Sequence, residues 1–221
     1  MPDSGDLESY YARRAREYER IYELPERQAD LARLREVLVA FGGGRRLLEV
    51  ACGTGYWTEV VAPAAASVLA TDSVEEVLAL ARQKGLASSR VSFACADAFD
   101  LEAVQGDFDG AFAAFWWSHV RRGNLAEFLG KLHRRLGAGA GVLFFDNRFV
   151  VDSSTPVARA DETGDTYQER VLADGTRFEV LKNFPSAEEV RTQIVGSSGE
   201  AVEVHELEYF WHATYRVGDA A

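Results

Sequence analysis

Cysteine is scarce in this sequence: Cys52 and Cys95 are the only two among 221 residues. Two thiols cannot build the disulfide framework that small secreted domains rely on. Apolar runs are short, and none approaches the ~18 to 20 residues that a membrane-spanning helix requires. The opening stretch, MPDSGDLESYYARRAREYERIY, is charged and aromatic, without the apolar centre of a secretory signal. Basic residues are a minority as well, since 24 Lys and Arg face 35 Asp and Glu and leave a formal charge of −11. A surface of that sign repels phosphate backbones, which argues against nucleic acid as a partner. These deficits predict a reduced, cytoplasmic protein that engages neither membrane nor nucleic acid.

Core-forming residues, by contrast, are plentiful. Hydrophobic residues make up 47% and aromatics 11% of the chain, enough apolar surface to offset the entropy of folding. The length suits a single domain with a sizeable core. Residues 6–23 read as a helix studded with tyrosines and closed by Pro25. Leu31, Leu34, Val37, Leu38 and Phe41 follow helical spacing up to the stop at Gly42, Gly43 and Gly44.

Short apolar runs at 46–50, 68–71, 91–95, 110–115 and 141–145 then alternate with helical patterns near 56–63, 74–84 and 124–136. Buried strands alternating with helices predict right-handed crossovers and a mostly parallel sheet covered on both faces. After Asp146 the pattern changes. YQERVLADGTRFEVLKNF reads as a hairpin around Asp174-Gly175, followed by a helix over 186–195 and strands near 201–208 and 210–217. The hairpin is an insertion after the fifth strand and a candidate lid.

The chemistry is concentrated in RLLEVACGTGYWTEV. A strand there meets the turn Ala51-Cys52-Gly53-Thr54-Gly55, and a helix follows. Small residues let a ligand approach the backbone, and free amides at the helix start favour a negative group. Glu49 precedes the turn, and Asp72 ends the second strand, where a carboxylate can accept both ribose hydroxyls. Asp97 follows the third strand, and Phe108-Asp109 leads into the strand that reaches Phe115, Trp116 and Trp117. All four carboxylates are expected along the carboxyl edge of the sheet, where open α/β sheets bind ligands. Thr58 stands where a dinucleotide fingerprint needs glycine or alanine, and no Gly-Lys-Ser or Gly-Lys-Thr marks a P-loop. No cluster of His, Cys and Asp has metal-ligand spacing, so no metal is expected. With one strand between them, Cys52 and Cys95 would lie ~9.6 Å apart, too far for a disulfide.

These residues resemble the class I S-adenosylmethionine-dependent methyltransferases. EVACGTG is similar to the family's first motif, with Ala51 in place of a glycine, while Asp72 resembles its second and Asp97-Ala98-Phe99 its third. The resemblance implies a Rossmann-like α/β fold: seven strands, the last reversed, with helices on both faces. It also implies S-adenosyl-L-methionine as cofactor and S-adenosyl-L-homocysteine as product. On this resemblance Glu49, Ala51, Gly53 and Gly55 face the methionine moiety. Asp72 and Ser73 take the ribose, Asp97, Ala98 and Phe99 take the adenine, and Phe115 is a further cofactor-binding residue. Tyr11 and Arg16, in YYARRAREY, resemble N-terminal residues that fold over the cofactor.

For the acceptor, the expected wall is FWWSHVRRGN together with the inserted hairpin. His119 is the candidate general base, because imidazole titrates near neutrality. GTGYWT, WSHV, the hairpin sequence and ATYR are similar to small-molecule O-methyltransferases of the phosphonate-methylating kind, as in dehydrophos biosynthesis. That similarity implies a small anionic acceptor held by Arg148, Arg170 and Lys182, with Trp116 lining the pocket. N-methylation with His119 as base, a nicotinamide-dependent oxidoreductase and a non-catalytic cofactor-binding protein are the competing readings. One domain is expected over 1–221. Its parts are a helical cap (1–44), a cofactor-binding core (45–146), an inserted substrate-side segment (147–185), and a last helix with terminal strands (186–221).

Overall fold

The computed structural model describes residues 19, 22–86, 90–171 and 175–219. The helix expected over 6–23, including Tyr11 and Arg16, falls almost entirely outside them, as does Asp174 of the hairpin turn. Pro25 opens a single 3-10 turn, Pro25–Arg27, that leads into α1 (Gln28–Gly42). On α1 the stripe Leu31, Leu34 and Leu38 is fully buried, as its three- and four-residue spacing requires.

Seven strands form the main sheet, in the order β3-β2-β1-β4-β5-β10-β9. They are β1 (Arg46–Val50), β2 (Ser67–Asp72), β3 (Val91–Cys95), β4 (Gly110–Ala114), β5 (Gly141–Asn147), β9 (Gly199–Glu206) and β10 (Phe210–Val217). The first five run parallel, and β10 enters antiparallel between β5 and β9. The order reverses between β1 and β4, which leaves a crevice beyond their carboxyl ends. Alternate residues on each strand supply opposite faces. Leu47, Phe112, Phe145 and Phe210 pack beneath α1, α2 (Tyr56–Val61) and α3 (Glu75–Gln83). Leu48, Ala111, Phe144 and Trp211 pack beneath α4 (Leu125–Leu136) and α5 (Ala187–Gly196). Each such leucine or phenylalanine side chain contributes about 1.5–3 kcal/mol by leaving water.

Because β2 lies between β1 and β3, Cys52 and Cys95 are separated by a strand, and both are free thiols. The terminal strand expected near 201–208 begins two residues earlier, at Gly199, in a tight connection from α5.

Between β5 and α5 the insertion folds as a separate three-stranded antiparallel sheet. To the predicted hairpin, β7 (Thr166–Val171) and β8 (Arg177–Leu181), it adds the two-residue strand β6 (Arg159–Ala160). That strand is too short to leave a periodic signature in sequence. One side of the hairpin carries the ion pairs Arg159–Glu179 and Arg177–Glu169, with Arg159 over the Tyr167 ring. By strand alternation the other side presents Gln168, Arg170 and Val180. A capping box between Ser186 and Glu189 then starts α5. No helix among the described residues is long and apolar enough to cross a membrane.

Candidate active site

The turn from β1 to α2 is built from left-handed backbone: φ is +55° at Ala51, +55° at Gly53 and +77° at Gly55. Its two glycines have different reasons to be glycine. A Cβ on Gly55 would sit 3.1 Å from the Ala81 methyl of α3, so this position serves close helix packing. A Cβ on Gly53 would meet no atom within 4 Å, so this backbone faces an open cradle. Asp72, at the end of β2, accepts hydrogen bonds from Gly53 N at 2.8 Å and Val74 N at 2.9 Å. Its carboxylate therefore sits against the glycine turn.

Glu49 is buried directly below the turn and accepts the Thr58 hydroxyl of α2. Burial pushes its carboxyl up to about 8; the Asp72 charge works in the same direction and the Thr58 hydrogen bond opposes it. At neutral pH Glu49 thus holds a proton. Above the turn, Glu19 accepts the Thr54 hydroxyl and pairs with Lys84. Tyr22 stacks on Tyr56 at 4.1 Å and receives the Trp57 indole N–H. The chain entering α1 thus crosses the same turn. Phe115 ends β4 at φ +58°, buried among Tyr22, Trp57, Phe145 and Phe210.

Next along the edge lie Asp97, Ala98 and Phe99. Asp97 is exposed and accepts Phe99 N at 2.7 Å, while Ala98 is buried. Trp116 meets Phe128, which in turn meets Phe99. Through Phe128 this tryptophan connects to the Asp97–Phe99 side. Trp117 is core, packed against Phe144 and Trp211. Ser73 is exposed beside Asp72.

A second polar cluster occupies the ends of β4 and β5 beneath the inserted sheet. Asp146, fully buried at the end of β5, accepts Ser118 N at 2.8 Å and Ser118 Oγ at 2.9 Å. Lys182 Nζ donates to Ser118 Oγ at 2.6 Å and to Asp146 Oδ1 at 3.2 Å. Burial works to raise the Asp146 carboxyl, yet Lys182, His119 and the N–H groups of Ser118 and Asn147 hold it below its ordinary range. His119 Nδ1 lies 2.8 Å from the Leu181 carbonyl, so Nδ1 carries the proton of the neutral ring. Burial drives that imidazole down to about 3; Lys182 and Arg170 reinforce the shift, against Asp146 and the Leu181 carbonyl. Arg170 donates to Thr155 Oγ1 and Gln168 Oε1.

Two expectations are corrected. Asp109 precedes β4, as the sequence indicates, but the start of a parallel strand lies at the edge opposite the glycine turn, and there Asp109 is bonded to Arg46 at the start of β1. Arg148 follows β5, but its side chain turns to Glu206 and the Leu207 carbonyl between β9 and β10, apart from Lys182 and Arg170. The sequence reading missed Thr58, Ser118 and Asp146. Asp146 had a visible signal, a carboxylate closing the buried run GVLFFD.

Residues 47–139 match the family described as "Methyltransferase domain". A demethylmenaquinone methyltransferase of Clavibacter sepedonicus is 35% identical over 82 residues, 37% of this chain. That match spans about a third, 34%, of the curated relative's length. Among solved structures, the DhpI–SAH complex is 29% identical and superposes with a TM-score of 0.80 over 98% of this chain and 97% of that one. The DhpI–SAM–HEP complex gives 28% identity and a TM-score of 0.78 over 96% of each chain. A methyltransferase from Mesorhizobium loti, 18% identical with a TM-score of 0.61 over 83% of this chain and 95% of that one, shares the fold. These likenesses set the nicotinamide reading aside. The reversed β10, the glycine turn against Asp72 and the matches together give the chain a class I methyltransferase fold, a methyltransferase domain over residues 47–139 and a resemblance to DhpI over nearly its whole length.

Proposed function

We propose that this enzyme methylates an oxygen of a small anionic acceptor, a phosphonate or carboxylate. The observation that carries the reading is the gathering of Lys182 and Arg170 around a neutral His119 at the end of β5. Cationic groups there offer charge-assisted hydrogen bonds to an anion. An ionised oxygen needs no base, and an imidazole that titrates near 3 is a poor one at neutral pH. Likeness to the DhpI–SAM–HEP complex over nearly the whole chain supports a small-molecule acceptor. The acidic surface, formal charge −11, supports a partner other than nucleic acid.

S-adenosylmethionine supplies an activated methyl group, and the protein's task is to align the acceptor with it and exclude water. In this reading Gly53 gives the ligand access to the backbone, and Glu49 lies below the methionine moiety. Asp72 with Ser73 takes the ribose, while Asp97, Ala98, Phe99 and Trp116 line the adenine side. The inserted sheet covers the acceptor, with Arg170 and Lys182 on its inner surface. Residues 45–146 form the cofactor core and 147–185 the acceptor cover of one domain.

Two measurements test this. Gly53→Ala puts a methyl group into the cradle on left-handed backbone, a conformation costing ~1–2 kcal/mol for a residue with a Cβ. Calorimetry should find S-adenosylhomocysteine bound about tenfold more weakly or worse. His119→Asn keeps a donor for the Leu181 carbonyl but cannot take a proton. Turnover of alkylphosphonates and carboxylates should stay within about tenfold of wild type, whereas loss of ~10²-fold or more would make His119 the general base and favour a hydroxyl or amine acceptor.

A further inference from the structure

We infer that Asp146 is a positioning residue: it keeps the Lys182 ammonium charged and aimed, and thereby sets the affinity for an anionic acceptor. The role in binding rests on the acceptor reading above. Asp146 is fully buried, so it stands behind Lys182 rather than in contact with an acceptor that its own charge would repel. Ser118 links the two groups, since its hydroxyl accepts from Lys182 Nζ and donates to Asp146 Oδ1. This three-membered ring fixes the direction of the ammonium.

Fastening of the inserted sheet is carried by other bonds. Asn183 N donates to the Ser118 carbonyl at 2.8 Å, and Lys182 N donates to the Thr166 carbonyl at 2.8 Å. Asn183 Nδ2 bonds Asp165 at 2.9 Å, and His119 Nδ1 bonds the Leu181 carbonyl at 2.8 Å. The backbone of Lys182 is therefore held without Asp146, and what Asp146 adds is charge and direction. Among the described residues, the charged and titratable groups around the ammonium include Asp146 from β5, His119 from the turn after β4 and Arg170 from β7. Of these, Asp146 alone carries negative charge. Without it a buried ammonium beside Arg170 surrenders its proton more readily, and the hold on an anion weakens as pH rises.

Asp146→Asn keeps the side-chain shape and removes the charge. The ratio of variant to wild-type KM for methylphosphonate should rise about tenfold or more between about pH 6.5 and 9.5. Using the ratio cancels ionisation of the acceptor itself. kcat should stay within about threefold, and S-adenosylhomocysteine should bind unchanged. The double variant Asp146→Asn/Lys182→Arg should lose the pH dependence, because a guanidinium does not titrate in this range. A pH-independent ratio, or parallel losses of kcat, KM and cofactor binding, would overturn the inference.

Should Asp146→Asn fail to fold, Ser118→Ala supplies the test, with a smaller rise in the same direction expected. Lys84, Lys131 and Lys182 are the chain's three lysines, so ¹³Cε-labelled lysine spectra follow Lys182 directly without any acceptor. An earlier deprotonation of Lys182 in Ser118→Ala or Asp146→Asn supports the positioning role, and unchanged titration in both refutes it. If wild type turns over no anion while that titration shifts, it is the acceptor reading that has failed.

Discussion

Lys182→Met should destabilise the protein by about 3 kcal/mol, the lower end of the ~3–5 kcal/mol expected when one partner of a buried ion pair is removed. The size follows from what is left behind. Asp146 is fully buried, and without Lys182 its charge has no cationic partner at hydrogen-bond distance among the described residues. Its remaining bonds, from Ser118 N, Ser118 Oγ, Asn147 N and Asn147 Nδ2, soften the loss, which places the effect at the low end. Removing both charges in Lys182→Met/Asp146→Asn should return at least half of the lost stability, since no uncompensated ion then remains. Urea unfolding followed by tryptophan fluorescence measures both variants. The pH dependence has a definite sign. Asp146 titrates below its ordinary range in the folded protein, so its contribution is present above the unfolded carboxylate range and is lost as pH falls from there through the lower folded value. In Lys182→Met that lowering influence is gone, and acid sensitivity should begin nearer neutrality. Equal stability of Lys182→Met and wild type would mean that the pair is not a buried charge pair at all.

The fold was legible because its signals are local. Each parallel strand is a short apolar run between helical patterns, and β1, β3 and β4 differ from the reading by at most one residue. The glycine turn and its neighbouring carboxylates were legible for the same reason: Glu49, Gly53, Gly55 and Asp72 lie within or beside strands whose ends are marked by turn residues. The acceptor side was not. Ser118, Asp146 and Lys182 are separated by 28 and 36 residues, and only the return of the hairpin onto the turn after β4 brings them together. Arg170 and Lys182 could be placed on the hairpin because a hairpin is a local pattern. Arg148 could not be placed that way, since its direction is decided by the β9–β10 connection 59 residues later. Asp109 failed differently. The sequence already set it before its strand, and the start of a parallel strand lies at the edge opposite the glycine turn.

Glu49→Gln should stabilise the cofactor-free protein at about pH 8–9 yet bind S-adenosylhomocysteine ~10–100-fold more weakly at pH 8, as expected on losing a hydrogen bond to a charged group. Both effects come from one buried carboxyl. It titrates at about 8 instead of 4.5, so between those values the folded protein holds a proton that the unfolded chain has released. Stability contributed by that proton is fully present below the lower value and is lost as pH rises through the upper one, by roughly 3–5 kcal/mol in all. Glutamine never ionises and escapes this loss, so the stability difference between variant and wild type should grow with pH and vanish near pH 4. Binding runs the other way. A carboxylate below the methionine moiety can pair with its ammonium group only after giving up the proton. Wild-type affinity should therefore rise between about pH 6 and 8, approaching tenfold per unit, with close to one proton released per ligand near pH 7. Calorimetry in buffers of different ionisation enthalpy counts that proton directly. Glu49→Gln should release none and show a flat profile. A wild-type protein that binds without proton release would mean that Glu49 keeps its proton in the complex and acts on the ligand only as a hydrogen-bonding group.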